Sequence, residues 1–161
     1  YESEARMKRS QVSLRIYLAG PIAGLILKDA LAWRDAAEAV LTEAGFDVLN
    51  PLRGIDISLK SKIGSKPVID NPRRSDKAIV GRDLADINAS DIVLFNFADA
   101  PAISIGSCVE IGFCHALRKF VIVVLDKKSS YDHPFIREAG PVFNSLDEAM
   151  EFLISSIPLH S

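Results

Sequence analysis

Glu110 is the residue whose type and position point most directly to chemistry. It follows an apolar run, Ile92–Phe95, that is typical of a buried strand, and it falls in the first turn of a helix predicted over Cys108–Leu117. Open α/β sheets bind ligands beyond the carboxyl ends of their strands, which is where this turn would lie. The helix dipole and the free backbone N–H groups of a first turn favour an ionised carboxylate, as a carboxylate nucleophile requires. The position therefore predicts a nucleophile, unless Glu110 only complements the helix dipole.

Small and hydroxyl-bearing residues surround Glu110. Gly106 and Gly112 have no side chains, so a ligand or a neighbouring strand can approach their backbone closely. Ser104 and Ser107 add two hydroxyl groups to the same loop. A carboxylate in this company is typical of the floor of a pocket, which favours the functional interpretation.

A second carboxylate, Asp83, is predicted on the helix that leads into the strand before Glu110. Asp83 and Asp86 are three residues apart, so they lie on one side of that helix. Asp83 can meet Glu110 across the carboxyl end of the sheet. One ionised acid beside one that carries a proton is the usual arrangement for breaking a glycosidic bond. The alternative is that both aspartates are solvated surface charges.

Two further polar side chains fall at the ends of apolar strands. Tyr17 lies near the end of the first predicted strand, where its hydroxyl can orient a carboxylate, or else it is a core aromatic. Asn96 lies near the end of the strand before Glu110 and is either a site residue or the residue that ends the strand.

Strands that alternate with helices must position these side chains. This alternation is typical of a doubly wound α/β domain with a mainly parallel, five-stranded sheet and helices on both faces. The near-continuous apolar run of residues 120–125 is expected in the middle of a parallel sheet. The strands are predicted at residues 14–20, 46–49, 91–97, 120–125 and 142–143, and the helices at residues 29–44, 77–89, 108–117 and 146–154.

The length of 161 residues suits one domain with a substantial core, which we predict over residues 14–157. Residues 1–13 are polar and are interpreted as a disordered or added tail, with Met7 as a candidate natural start. Residues 53–71 are predicted to form a long loop, and the sequence leaves open whether it closes over the site as a lid.

Composition and charge narrow the class of partner. The net charge is −2, and no basic stripe extends beyond Arg73 and Arg74, so a nucleic-acid polymer is not expected as a partner. The chain has no apolar run of roughly 18 residues that would span a membrane, and its start lacks the apolar core of a signal peptide. Two cysteines, Cys108 and Cys114, lie on one predicted helix without a metal-binding pattern. These features favour a protein of the reducing cytoplasm without a metal site.

Several common active-site motifs are missing from the sequence. The segment from Gly20 to Gly24 has the wrong spacing for a dinucleotide-binding turn and contains a proline. There is no Walker sequence, and neither Ser104 nor Ser107 has histidine and aspartate partners that would indicate a serine hydrolase.

The motifs described above resemble those of the nucleoside 2-deoxyribosyltransferase family, which also includes nucleoside 5′-monophosphate N-glycosidases. The resemblance covers roughly residues 14–155. It rests on the segments Ile16–Pro21, Asn50–Pro51, Arg82–Leu84, Ser90–Val93 and Ser104–Gly112, with a weaker match at His133–Arg137.

This resemblance implies a flavodoxin-like fold and a covalent mechanism that needs no metal or organic cofactor. It implies that Glu110 attacks the anomeric carbon, that Asp83 exchanges a proton with the base, and that Tyr17 orients Glu110. Attack on the intermediate by a second base gives transfer, whereas attack by water gives hydrolysis. The substrates implied are a nucleoside or nucleotide and a free nucleobase, and the protein is expected to be a homodimer or higher homo-oligomer with sites shared between subunits. The substrate-binding residues implied are Gly20, Pro21, Asn96, Ser104, Gly106, Ser107, His133 and Phe135.

One position departs from the pattern of many transferases in the family. They carry an aspartate six residues before the nucleophile, where this chain has Ser104. A serine donates a hydrogen bond to a 5′-phosphate that an aspartate would repel, and Ser107 and a helix N-terminus would add to such an anion site. His133 either pairs with that phosphate from a neighbouring subunit or is a surface residue. A 5′-monophosphate N-glycosidase is therefore the alternative to a transferase, and a non-catalytic nucleotide-binding module is the third possibility.

Overall fold

The computed structural model describes residues 13–22, 27–54, 75–100 and 102–157. Within them the chain alternates strands and helices, as the sequence predicts. The elements are β1 (Arg15–Ala19), α1 (Leu27–Glu43), β2 (Asp47–Leu49), α2 (Asp76–Ala89), β3 (Ile92–Asn96), α3 (Ile105–Ala116), β4 (Phe120–Val124), α4 (Pro134–Arg137), β5 (Val142–Phe143) and α5 (Leu146–Ser156).

The five strands form one parallel sheet in the order β2-β1-β3-β4-β5. This is the strand order of flavodoxin-like folds, so the predicted fold class is confirmed. The order reverses between β1 and β3, which pair directly even though α1, β2 and α2 separate them along the chain. Such a reversal opens a crevice at the carboxyl ends of the two strands, and this is the usual place for a ligand.

Helices cover both faces of the sheet and bury alternate side chains of each strand. On one face, Tyr17 of β1 and Val93 of β3 pack with Ile87 of α2 and Ile111 of α3. On the other face, residues of the same strands pack with α1 and α5 in a second core that includes Ile16, Leu18, Leu94, Leu41 and Leu153. Burial on both faces explains why the central strands are continuous apolar runs rather than alternating ones.

Helix α3 begins at Ile105, three residues before the predicted start at Cys108. The prediction followed the apolar spacing and so missed the first turn, which contains Gly106, a weak helix former. Ser104 is the N-cap, and its side chain makes no capping hydrogen bond. As a result Glu110 is the sixth residue of α3 and lies in its second turn, so the prediction that it lies in the first turn is wrong.

Two smaller differences concern other helices. Helix α1 begins at Leu27 rather than at Asp29, and the four-residue helix α4 was not predicted. Of the predicted 53–71 loop, residues 55–71 lie outside the described part of the chain, as do residues 1–12 of the predicted tail and Gly24. Among the helices that are described, none is long and apolar enough to span a membrane.

Candidate active site

Tyr17 and Glu110 are joined by a hydrogen bond, although 93 residues separate them in the sequence. The Tyr17 hydroxyl donates to Oε1 of Glu110 at 3.2 Å. Tyr17 is fully buried in the middle of β1. Burial, followed by the charge of Glu110, raises the pKa of Tyr17 far above its usual value. The phenol therefore stays neutral and acts as a donor to the carboxylate.

Glu110 is partly buried between α3 and the sheet, and its environment disfavours ionisation. Burial is the main cause that raises its pKa to about 7, and the nearby charge of Asp83 is the second cause. The Tyr17 hydrogen bond and the charge of Arg34 act in the opposite direction. The expectation that Glu110 stays ionised throughout the neutral range is therefore corrected. A second-turn position lacks the free N–H groups of a helix start, and the loss of water dominates.

Asp83 lies on α2 near both of these residues, since its charge acts on Tyr17 and on Glu110. Burial raises the pKa of Asp83, against the lowering effect of the Arg82 charge. Arg82 donates from Nη2 to Oδ1 of Asp83 at 3.2 Å and to the carbonyl of Pro51 at 2.5 Å. The turn after β2 therefore helps to orient the second carboxylate.

Asp86 is ion-paired at the edge of this group of carboxylates, and its charge raises the pKa of Asp83. Its Oδ2 accepts a hydrogen bond from Arg53 at 2.6 Å, in an ion pair between α2 and the turn after β2. Asp86 therefore links α2 to the turn after β2.

Arg34 on α1 is a charged residue near the site that the sequence analysis did not single out. It is fully buried, and its charge acts on Tyr17, Glu110 and Asp83. The available signal was its place on the buried stripe of α1, where Ala30, Ala37 and Leu41 occupy the neighbouring positions at helical spacing. A charged residue on an apolar stripe is unusual, and this signal could have identified Arg34.

The serines before Glu110 are packed around Tyr131, another residue that the sequence analysis missed. The backbone N–H of Ser104 donates to the Tyr131 hydroxyl at 2.5 Å, and the side chain of buried Ser107 hydrogen-bonds the same hydroxyl. The Tyr131 ring stacks on Phe97 with ring centroids 4.0 Å apart. Gly106 is exposed at the start of α3.

Pro21 and Asn96 line a separate cavity of about 590 Å³ together with Trp33, Asp99 and Asp126. This cavity opens at the same edge of the sheet, but Tyr17, Asp83 and Glu110 do not line it. Asn96 Oδ1 accepts a hydrogen bond from the N–H of Ala98 at 3.1 Å, which supports the alternative that it ends the strand.

The glycine before Pro21 lies where several elements meet. The carbonyl of Gly20 accepts a hydrogen bond from Arg34 at 2.9 Å. A Cβ at this position would lie 2.7 Å from the carbonyl oxygen of Asn96. Gly20 therefore has a packing role that no larger residue could fill.

His133 and Phe135 lie apart from Glu110 within one subunit. They line a cavity of about 830 Å³ whose wall includes Cys108, Ile111 and His115 of α3, and again the Tyr17, Asp83 and Glu110 side chains do not line it. The Phe135 side chain is 84% exposed, and the His133 Nδ1 accepts from the N–H of Phe135 at 3.3 Å. The structure thus divides the predicted site into three places, and the one at Tyr17, Asp83 and Glu110 joins a buried carboxyl group to a side-chain hydroxyl donor.

In the described ranges, no group of three or more histidine, cysteine, aspartate or glutamate side chains could hold a metal ion.

A family model described as nucleoside 2-deoxyribosyltransferase matches residues 16–151, which is most of the chain. No curated protein matches the chain.

Solved structures share the fold at low sequence identity. A 2-deoxyribosyltransferase from Bacillus psychrosaccharolyticus is similar with a TM-score of 0.63 and 20% identity, over 89% of this chain and 96% of that one. A CMP N-glycosidase from Clostridium botulinum is similar with a TM-score of 0.57 and 20% identity, over 89% of this chain and 99% of that one. A 2-deoxyribosyltransferase from Leishmania mexicana has a TM-score of 0.60 and 15% identity, over 88% and 97%. Similarities at these identities speak for the fold alone.

Proposed function

The chain belongs to the nucleoside 2-deoxyribosyltransferase family, and we propose that it cleaves the N-glycosidic bond of a nucleoside or nucleotide and transfers the sugar to a second base. The observation that carries the proposal is the hydrogen bond from Tyr17 to Glu110 beside Asp83. A carboxylate held by a neutral donor, next to a second carboxyl group of raised pKa, has the parts of a retaining glycoside cleavage.

In the proposed reaction, a carboxylate oxygen of Glu110 attacks the anomeric carbon as the bond to the base breaks. Asp83 gives its proton to the departing base, whose nitrogen receives the electron pair of the broken bond. A second base then attacks the glycosyl–Glu110 ester and gives up its proton to Asp83, which restores both carboxyl groups. Two inversions retain the configuration of the sugar. Water in place of the second base gives hydrolysis.

Burial is the main cause that raises the pKa of both carboxyl groups. The Tyr17 hydrogen bond and the Arg34 charge favour the ionised form of Glu110, in which its carboxylate can attack. Burial of Asp83 favours its protonated form, against the charge of Arg82. The proposed reaction proceeds from the form in which Glu110 is ionised and Asp83 carries the proton that the leaving base needs.

The test is a chromatographic assay of purified protein against nucleosides and 5′-monophosphates, with and without a free acceptor base. New nucleoside that forms only with acceptor is expected from the wild type. Glu110→Gln is expected to lower kcat by about a thousandfold or more, because it removes the nucleophile. Glu43→Gln is the matched control, since Glu43 is an exposed glutamate at the end of α1. Turnover that survives Glu110→Gln would remove the proposal, and ligand-induced stabilisation without turnover would favour a binding module.

A second candidate is a nucleoside 5′-monophosphate N-glycosidase, and the observation that favours it is Ser104. Its hydroxyl makes no capping hydrogen bond at the start of α3, where a helix N-terminus attracts anions. Release of free base from monophosphates without acceptor would support this activity. Ser104→Asp should then lower kcat/KM for monophosphates relative to nucleosides about tenfold, because it places a carboxylate against the phosphate. Equal kcat/KM ratios in wild type and variant would contradict the phosphate site.

We also propose that the protein is a homo-oligomer whose subunits share sites. Large apolar side chains near the start of α3 and on α4 are exposed, at Ile103, Ile105, Val109 and Phe135. An exposed apolar group of this kind is typical of an interface. Light scattering coupled to gel filtration tests this, with Phe135→Ser expected to shift the population towards monomer.

A further inference from the structure

The guanidinium of Arg34 is a buried charge without an ionic partner at contact distance. Its side chain is fully buried, and no ion pair joins it to a carboxylate in the part of the chain that the structure describes. Nη1 donates to the carbonyl of Ala30 at 2.6 Å and Nη2 to the carbonyl of Gly20 at 2.9 Å. Nε has no hydrogen-bond partner among the described residues. Burial of a charge is unfavourable unless hydrogen bonds and an opposite charge nearby compensate for the loss of water.

The turn after β1 is built around this guanidinium. A Cβ on Gly20 would lie 3.6 Å from Nη2 of Arg34, 3.3 Å from the Trp33 ring and 2.7 Å from the carbonyl oxygen of Asn96. Trp33 also supports the cation directly, since Cζ of Arg34 lies 4.5 Å from the centroid of a Trp33 ring. Gly20 has φ +155°, a backbone conformation that residues with side chains rarely adopt. Glycine also leaves free the space in which a Cβ would meet these neighbours.

The charged groups around Glu110 come from several elements. Tyr17 faces it from β1, Asp83 from α2 and Arg34 from α1, and their interactions change its pKa. Two weaker neighbours are Cys114 on α3 and Tyr131 after β4, whose own pKa values are raised by burial and by the charge of Glu110. Arg34 is the only cation whose charge acts on Glu110 within the residues that the structure describes.

We propose that Arg34 is a positioning residue: its hydrogen bond to the Gly20 carbonyl holds the turn that follows the Tyr17 strand, and its buried guanidinium is the fixed positive charge that favours the ionised form of Glu110. The effect of Arg34 on turnover rests on the proposed function, whereas the effect of Arg34 on the ionisation of Glu110 does not. The guanidinium has no exposed surface, so it acts on the substrate through Glu110 and the Gly20 turn and not by direct contact.

The direct test is the titration of Glu110 in the ligand-free protein, followed by carbon-detected NMR of the side-chain carboxyl groups. The Glu110 resonance is assigned by its loss in Glu110→Gln. Arg34→Met removes the charge and keeps an apolar side chain in the cavity, so the pKa of Glu110 should rise above its starting value. Arg34→Lys keeps the charge, and the pKa of Glu110 should stay closer to that of the wild type. An unchanged Glu110 titration in Arg34→Met would overturn the proposal.

The second readout is the pH dependence of kcat/KM. A rise of one unit in the pKa of Glu110 moves the acid limb of the profile by one unit and lowers kcat/KM about tenfold below that limb. Activity should recover towards the wild-type value as the pH rises above the new pKa. A purely structural role would lower kcat/KM by the same factor at every pH and would leave the limb in place.

Leu41→Ala is the control for damage to α1, because Leu41 is fully buried on the same helix and carries no charge. It should lower the melting temperature without moving the Glu110 titration. If the wild type shows no turnover with any substrate, the proposed function fails, and the NMR titration still decides the role of Arg34.

Discussion

Two carboxylates at the same edge of the sheet have opposite environments. Glu110 lies on the α3 side, where burial raises its pKa to about 7 and the Tyr17 hydroxyl donates to it at 3.2 Å. Asp126 lies after β4, where its carboxylate accepts hydrogen bonds from the backbone N–H groups of Asp99 at 2.9 Å and Lys128 at 2.8 Å. These backbone hydrogen bonds lower the pKa of Asp126.

Under the proposed function, the difference between them is the one expected between a reactive carboxylate and a structural one. Asp126 fixes a loop, because ionisation strengthens the hydrogen bonds that it already accepts. Burial makes the ionised form of Glu110 unfavourable, and a pKa shifted in this way is typical of a functional carboxylate. Glu110 lines neither the 830 Å³ cavity nor the 590 Å³ cavity, so its position does not coincide with either of these cavities.

The largest effect, on stability, is expected from Gly20→Ala, at the turn after β1. The new Cβ would meet the Asn96 carbonyl oxygen at 2.7 Å in a backbone conformation that disfavours side chains. We expect a loss of about 2–4 kcal/mol in the free energy of unfolding, measured by urea denaturation. Gly81→Ala is the control, because open space surrounds this glycine of α2, and it should stabilise by about 0.5–1 kcal/mol. Equal effects of the two substitutions would contradict the packing role of Gly20.

The next effect is a gain of stability from Glu110→Gln that depends on pH. A glutamate whose folded-state pKa is raised destabilises the fold as it ionises, so the penalty is small near pH 5 and complete above about pH 7. The variant should therefore be more stable than the wild type by about 2 kcal/mol at pH 8, with a smaller difference at pH 5. Thermal unfolding at the two pH values measures this. A variant that is less stable at pH 8 would show that Glu110 is a structural carboxylate like Asp126.

A smaller effect, on activity, is expected from Tyr17→Phe. It removes the donor to Glu110, so the carboxylate is less well oriented and its pKa rises further. We expect kcat/KM to fall about tenfold, with the acid limb of the pH profile displaced to higher pH. An unchanged profile would mean that Tyr17 serves only as a core aromatic.

The smallest effect is expected from Asp126→Ala, and its dependence on pH is opposite to that of Glu110→Gln. A carboxylate whose pKa is lowered in the fold stabilises it above the usual pKa of about 4, and that stability is lost as the pH falls through the folded-state value. The melting temperature should therefore drop at pH 7, and the difference from the wild type should shrink below pH 4. A constant difference across this range would show that the charge of Asp126 is not what stabilises the loop.

Local patterns in the sequence were enough to predict the strands of the sheet and most of the helices. The apolar runs at β3 and β4 and the helical spacing of α2 are properties of adjacent residues, and the structure has these elements close to where they were predicted. The start of α3 was misplaced because Ile105 and Gly106 carry little of the apolar periodicity, and helix α4 was missed because it has only four residues. Helix boundaries are the part that periodicity determines least.

The sequence by itself determined the fold class and singled out Tyr17, Asp83 and Glu110, because each has a side chain of suitable chemistry on a strand or helix that the sequence pattern predicts. Only the tertiary structure decided the raised pKa of Glu110 and the burial of Arg34, and only it separated His133 and Asn96 from these carboxylates within one subunit. These properties depend on distances between elements that the β2-β1-β3-β4-β5 order brings together or keeps apart. The burial of a side chain and the electrostatic field at it are sums over neighbours from several elements. No local segment of the sequence contains these neighbours.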